Sequence, residues 1–511
     1  MENKSHKPIS IRRNSVANYI GAACQALLGF LFIPLYIKYL GIESYGLIGF
    51  ATSLNAVLSL TDFGLSSTLR REFALCSDFP ESALRMRNLL RTLQTILWGF
   101  SAFIGLAMIG IAPLISKHWI NAGSLGVETV QRAVVLMGLT AALQGPLSLY
   151  SGGIFGLQRH VLGNCINVLL TILRSGGVIL VLAFLSPTIN AFFICQFCVA
   201  FIGALSVGII LWNLLPRTHS VSCFQISQLK NVWRFASGMG ISSTLWFIVR
   251  QIDKLILIKI LPLKLFGYYA LASAVASAAT FCICEPLFAT FLPRYTQLYA
   301  AGADERLKAT YRFSCRLNSM ILIPTVVLLS LFSREVLLVW TRNPVIAEEA
   351  HLFLSLLVIG YGLNHVAYLP YAMQIACSRV RLGVYTNSFA ILFIVPALTI
   401  ATRFYGGIGA AAVWIILNCF YLLSYVNIFH RSFLKGETRQ WYAGILLPLM
   451  LSIGFGLSGR LLFPNISGFI MVLYIAGLWA IIVAVTAIAT PSMRKMILAP
   501  SSPLSIEPSH K

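Results

Sequence analysis

Four ionisable residues stand in stretches that are otherwise apolar. Arg174 lies in TILRSGGV, and Arg250, Asp253 and Lys254 lie together in RQIDKLIL. A guanidinium offers a planar set of donors that fits phosphate-like anions. Positions 250, 253 and 254 are spaced i, i+3 and i+4, so they share one face of a helix. The Arg250–Asp253 spacing permits an ion pair within the helix, and two like charges on one face call for a polar surrounding. The competing use is structural. Arg174 would then pair with an acid or carbonyl on another helix, Lys254 would reach outward along its stem, and Arg250 and Asp253 would neutralise each other. Asp62 and Glu285 form a second group, each followed by bases: Arg70 and Arg71 after the first, Arg294 after the second. Acids so placed either hold a proton or sodium ion, or close salt bridges at a gate.

Covalent chemistry has no comparable foothold. The chain contains no phosphate-binding loop, zinc motif or nucleophile elbow. Cys195 and Cys198 form a C-x-x-C, but in an apolar run rather than in the βαβ context of a redox site, so they are expected to be inert. The expectation is a non-enzyme with no cofactor and no metal.

The elements that must hold these residues follow from composition. Apolar residues make up 58% of the 511 and charged residues 11%, whereas soluble domains run near a quarter charged. Lipid must cover what charge does not. A spanning helix needs about 20 mostly apolar residues. Fourteen runs qualify: 14–37, 45–69, 92–116, 131–156, 161–184, 188–212, 233–258, 265–291, 316–339, 350–375, 382–402, 408–429, 441–462 and 467–489. With both termini inside, 26 of the 38 Lys and Arg residues fall in inner loops, 9 in outer loops and 3 within runs. That bias is the positive-inside pattern. It accounts for the net charge of +22 without a nucleic-acid partner, which would need the bases clustered. Segments 80–91 and 302–316 carry Arg85, Arg87, Arg91, Arg306, Lys308 and Arg312, and are expected to lie as amphipathic helices against anionic membrane lipids.

The first two runs recur. Residues 37–51 read IKYLGIESYGLIGFA and residues 258–272 read IKILPLKLFGYYALA. At an offset of 221, Ile37, Lys38, Leu40, Gly46 and Ala51 meet identical residues. With two more residues in the second copy, Asp62 aligns with Glu285 and Arg71 with Arg294. Six helices separate the copies, so the halves share one orientation, as parallel transporter repeats do. The expected organisation is an N-terminus at 1–13, a first lobe at 14–212, a cytoplasmic linker at 213–232, a second lobe at 233–429, two further helices at 430–489 and a cytoplasmic tail at 490–511.

At these residues the sequence resembles the polysaccharide transporter family, the O-antigen flippases of the multidrug/oligosaccharidyl-lipid/polysaccharide exporter superfamily. The resemblance rests on IPLYIKYLGIESYGL, LTDFGLSSTLRR, GGIFGLQR, RQIDKLILIKIL and YGGIGAAA, and covers about residues 10–430. It implies an all-α fold of two six-helix bundles in a V, with two C-terminal helices beyond them. It implies a cargo of undecaprenyl-pyrophosphate-linked oligosaccharide, flipped from the cytoplasmic to the periplasmic leaflet of the bacterial inner membrane through a polar cavity. It also implies an O-antigen polymerase and a chain-length regulator as partners. Arg174, Arg250, Asp253 and Lys254 become cavity residues for pyrophosphate or acidic sugar. Asp62, Glu285, Arg70, Arg71 and Arg294 become a gate, or the coupling site for a proton, sodium or the membrane potential. Three alternatives stay open: a cation-coupled multidrug exporter, a lipid II flippase, and a membrane O-antigen polymerase or ligase. The run 14–37 lacks the acids of the first two, and the third would need a large outer loop that the sequence does not contain.

Overall fold

In hydrocarbon a backbone must satisfy its own N–H and C=O groups, so long apolar runs fold as helices. The computed structural model describes residues 11–62, 64–76, 82–216, 218, 220–225, 249–377, 380–434, 436–462, 468–490 and 494, and the regular elements among them are all helical. Ten of these helices are long and apolar enough to cross a bilayer; the bent pair Val16–Leu31 and Ile33–Leu58, at 41°, makes an eleventh.

Three regions relate this set to the fourteen expected runs. Residues 226–248, most of the expected seventh run, lie outside the described residues, as do 1–10, 226–232 of the linker and most of the tail. Thr386–Phe433 is one apolar element, but Gly406 within it has φ 59 and ψ −145. Only glycine adopts that conformation without strain, and it falls where the eleventh and twelfth runs were expected to join. Gly41, with φ 77 and ψ 167, divides Ile33–Leu58 in the same way, between the first and second runs.

Prolines sort by position. Pro34, Pro146 and Pro370 each fall in the first turn of a helix, after breaks at Phe32, Leu143 and Ala367. There the missing N–H has no intrahelical partner to lose. Pro286, Pro324 and Pro396 lie inside helices instead.

The chain divides into two compact units, Met1–Gly267 and Tyr268–Lys511. The division falls past the linker because residues 255–267 pack on the first unit. A Cβ at Gly46 would lie 2.7 Å from the Leu263 carbonyl oxygen, and one at Gly267 would run into the Ile42 carbonyl. Within the first unit, Gly152 and Gly156 bring the helix Gln144–Gly156 onto the helix Leu65–Cys76. Cβ atoms there would stand 2.8 Å from Ser66 O and 2.7 Å from Arg70 O. Leu65, Leu69 and Phe73 then pack against Leu90, Leu93, Leu149 and Leu211 in one core.

The two basic segments expected at the membrane surface are the N-terminal ends of long helices, Ala83–Leu114 and Asp304–Leu331. Several of their bases are held by protein. Arg85 pairs with Glu72 at 3.1 Å, and Arg87 donates to Pro216 O at 2.8 Å. In the second unit Arg312 forks onto the buried Glu437 carboxylate with two contacts of 2.5 Å. That clasp, and a 2.9 Å bond from Trp479 Nε1 to Thr325 Oγ1, dock the last two helices, Glu437–Leu462 and Phe469–Ala489, on Asp304–Leu331. The final helices are therefore an integral layer of the second unit.

Candidate functional site

Arg174 lies in a single π-turn, Leu173–Gly177, inserted between the helices His160–Ile172 and Val178–Phe184. Such turns often mark functional positions. Side chains from two other helices hold this one. Tyr36 donates its hydroxyl to Ser175 O at 3.2 Å, and Gln196 Nε2 donates to Arg174 O at 3.2 Å. Tyr36 is in turn fixed edge-on against Phe192, with ring centroids 5.3 Å apart. Arg174 is half-buried; its Nε and Nη2 are enclosed and have no hydrogen-bond partner among the described residues. A buried donor left in that state costs about 1–3 kcal/mol, and a charged one more. For these two nitrogens, no described residue supplies the acid or carbonyl that a structural role requires.

Asp253 and Lys254 lie at 4.0 Å, with side chains only 5% and 14% exposed. The ammonium is thus held within the first unit rather than extended outward. Arg250 is half-buried one turn earlier.

The two repeat-matched acids differ. Asp62 ends a short 3-10 turn, Ser59–Asp62, and accepts from Ser66 N at 3.2 Å and Ser66 Oγ at 2.6 Å. It acts as a local cap on the helix Leu65–Cys76. Glu285 lies inside the unbroken helix Leu263–Ala300 and accepts the Tyr368 hydroxyl at 2.8 Å, from a different helix. Among the described residues neither acid forms an ion pair. Arg70 is exposed, its guanidinium 5.3 Å from the Phe155 ring centroid. Arg71 is exposed and Arg294 half-buried.

Sequence reasoning missed the residues that act as partners. Tyr36, Gln196 and Tyr368 are ordinary members of apolar runs and carry no signal until packing sets them beside Arg174 or Glu285. The Gly46–Gly267 match was visible as a repeat, but the mutual contact of the two copies was not. At the end of the first unit where Lys259 lies, Trp119 Nε1 donates to Leu255 O at 3.2 Å and Lys259 Nζ stands 4.6 Å from the Trp119 ring centroid.

The elements and charges together define a polytopic helical membrane protein with cationic groups buried among its spans. A profile of the family described as Polysaccharide biosynthesis protein matches residues 38–341, more than half of the chain, and the chain belongs to that family. It is 21% identical over 417 residues to a putative O-antigen transporter of Shigella flexneri, covering 80% of this chain and 95% of that one. Its fold is similar to that of the lipid II flippase MurJ in an inward closed conformation, with a TM-score of 0.68, 13% identity, and 95% and 100% of the two chains covered. An inward-facing multidrug resistance transporter of the MATE family is also similar, with a TM-score of 0.62, 15% identity, and 82% and 99% covered. The family match and the shared fold agree with the resemblance drawn from the sequence motifs. The proteins it resembles are transporters and flippases, not enzymes.

Proposed function

We propose that this chain flips an undecaprenyl-pyrophosphate-linked oligosaccharide, such as an O-antigen repeat unit, from the cytoplasmic to the periplasmic leaflet of a bacterial inner membrane. Transport is by alternating access, in a chain of fourteen passes with both termini in the cytoplasm. The observation that carries this reading is Arg174: two enclosed guanidinium nitrogens with no partner among the described residues. A charge held inside a membrane bundle is expensive, and such residues mark substrate or ion paths. An anionic pyrophosphate or acidic sugar would satisfy it, and guanidinium geometry suits phosphate. Arg250 and the Asp253–Lys254 pair extend the polar lining. Glu285, held by Tyr368, is the residue we assign to coupling with a proton or sodium ion. Asp62 with Arg70 and Arg71 in the first copy, and Arg294 in the second, are the residues we assign to gating the inner end of their own halves.

The MATE likeness fits a second reading, a cation-coupled drug exporter. A half-buried guanidinium with two nitrogens unpartnered among the described residues argues against it, because a cationic drug would be repelled. Deleting the gene and analysing carrier lipids separates the two. Sugar-linked carrier trapped in the cytoplasmic leaflet, with surface polysaccharide lost, is the expected result. Normal polysaccharide with new drug sensitivity would replace the flippase by the exporter.

A further inference from the structure

The fourth and tenth expected runs break at matched places. Leu143 separates the helices Val127–Ala142 and Gln144–Gly156, and Ala367 separates Pro344–Val366 and Tyr368–Ala376. Pro146 and Pro370 follow the two breaks at the same distance. The breaks are alike, but their surroundings differ. Just before Ala367 the buried residues include Tyr361 and His365; at the same two places before Leu143 they are Met137 and Ala141. The second copy therefore carries a phenol and an imidazole where the first carries plain apolar side chains. Broken helices within a bilayer are where transporters commonly place their coupling ions.

The polar groups at this break are joined to one another. The Tyr361 hydroxyl lies 3.0 Å from Ser273 Oγ, and His365 Nδ1 lies 2.8 Å from the Tyr361 carbonyl oxygen. A carbonyl can only accept, so Nδ1 carries a hydrogen and the ring takes up a proton at Nε2. A helix break denies nearby carbonyls their intrahelical donors. Asn318 Nδ2 donates to His365 O at 3.1 Å instead, and Cys284 Sγ donates to Asn318 Oδ1 at 3.2 Å. Glu285, next to Cys284, accepts the Tyr368 hydroxyl, and the Tyr368 ring centroid lies 5.5 Å from that of His365. His365 is 2% exposed. An imidazolium so enclosed is costly in a membrane unless a nearby carboxylate offsets it. Cys284 and Glu285 stand beside it from Leu263–Ala300, and Tyr361 and Tyr368 from its own span. Asp304–Leu331 presents Asn318, and Thr386–Phe433 presents Trp414 against Tyr361 and Asn418 against Asn364. Among the described residues no three His, Cys, Asp or Glu side chains could hold one metal ion. Hard cations want several oxygen ligands, whereas a thiol and an imidazole stand here. The occupant this chemistry fits is a proton.

We propose that His365 and Glu285 form one proton-binding pair across the Ala367 break, and that this proton is the coupling ion of transport. The inference rests on the flippase reading above, in which Glu285 serves coupling. The first test needs no cargo. Solid-state NMR follows the full chain in liposomes, isotope-labelled on histidine. His365 is assigned through Asn364–His365, the sole Asn–His peptide in the sequence. His365 Nε2 should gain its proton within about pH 5–9, and in Glu285→Gln the midpoint should move by about one pH unit or more, since coupled groups titrate as a pair. The second test measures flipping in proteoliposomes of the sugar-linked polyprenyl pyrophosphate isolated from the deletion strain. His365→Gln should cut flipping driven by a pH gradient about tenfold, while exchange without a gradient stays within about twofold. His351→Gln, on the same helix but away from the break, should leave both unchanged. A His365 that keeps one protonation state throughout, or an unmoved midpoint in Glu285→Gln, would overturn the proposal. So would flipping driven by a sodium gradient at fixed pH, or His365→Gln with its gradient response intact. If His365→Gln fails to fold, the titrations of the unmutated chain and Glu285→Gln decide. If gene deletion leaves surface polysaccharide intact while the linked titration holds, the cargo reading fails and the proton pair stands. Polysaccharide loss on deletion without linked titration gives the reverse.

Discussion

Two helices at equivalent places in the repeat have taken opposite characters. The offset of 221–223 that matches Asp62 with Glu285 carries Arg174, in His160–Phe184, onto positions 395–397 of the arm that begins at Val380. In the first half that place is a π-turn with two enclosed guanidinium nitrogens. In the second it reads Val395, Pro396 and Ala397, none of which carries a side-chain donor. Under the proposed flippase function, the first place suits the charged head of a lipid-linked sugar and the second offers that head nothing.

The largest effect should follow from removing the charge on the first side of this comparison. Arg174→Ala is expected to lower surface polysaccharide about tenfold or more, since a hydrogen bond to a charged partner is worth roughly 1.5–3 kcal/mol. Arg174→Lys should retain part of the activity, keeping the charge but losing the planar fork. Both variants should reach the membrane in normal amount, because Nε and Nη2 bond to no other helix among the described residues. Full activity in Arg174→Ala would remove the contrast between the halves.

The next test asks where the repeat has stayed symmetric. Gly46 and Gly267 are repeat partners, and each packs on the backbone carbonyl four residues before the other, at Leu263 and Ile42. Gly46→Val and Gly267→Val should therefore be equally damaging. Each overpacks a backbone contact that cannot yield, at a cost of about 1–3 kcal/mol, to be read from thermal unfolding in detergent. Unequal losses would show that the apparent symmetry of this contact does not extend to its energetics.

Much of this was legible in the sequence, and the limits have physical causes. Apolar length gave the helices, because hydrocarbon leaves the backbone no other option. The glycines at 41 and 406 fell at expected joins. The pairing of Asp253 with Lys254, and the partners of Arg174, did not show, because hydrogen bonds between helices depend on rotation about each axis. Apolar periodicity does not fix that rotation when lipid surrounds the bundle. The last two helices were equally opaque. Their attachment runs through Arg312, which reads from sequence as one more base near the inner surface, and Glu437, which reads as a loop acid.

The smallest effects should separate the two acids. Glu285 bonds to Tyr368 on another helix, whereas Asp62, among the described residues, bonds only to Ser66 four positions on. Glu285→Gln keeps an oxygen for the Tyr368 hydroxyl but cannot exchange a proton. It should leave folding nearly unchanged while flattening the dependence of transport on pH or sodium in proteoliposomes. Asp62→Asn also keeps an acceptor for Ser66, and Asn is as good a cap as Asp. It should be close to silent in both assays, whereas Asp62→Ala should cost about 1 kcal/mol of stability with coupling intact. If Asp62→Asn instead abolished ion dependence and Glu285→Gln did not, the assignment of the two acids would be reversed. The repeat would then have kept its coupling residue in the first copy, at the broken helix, where a carboxylate freed from Ser66 can turn toward the path.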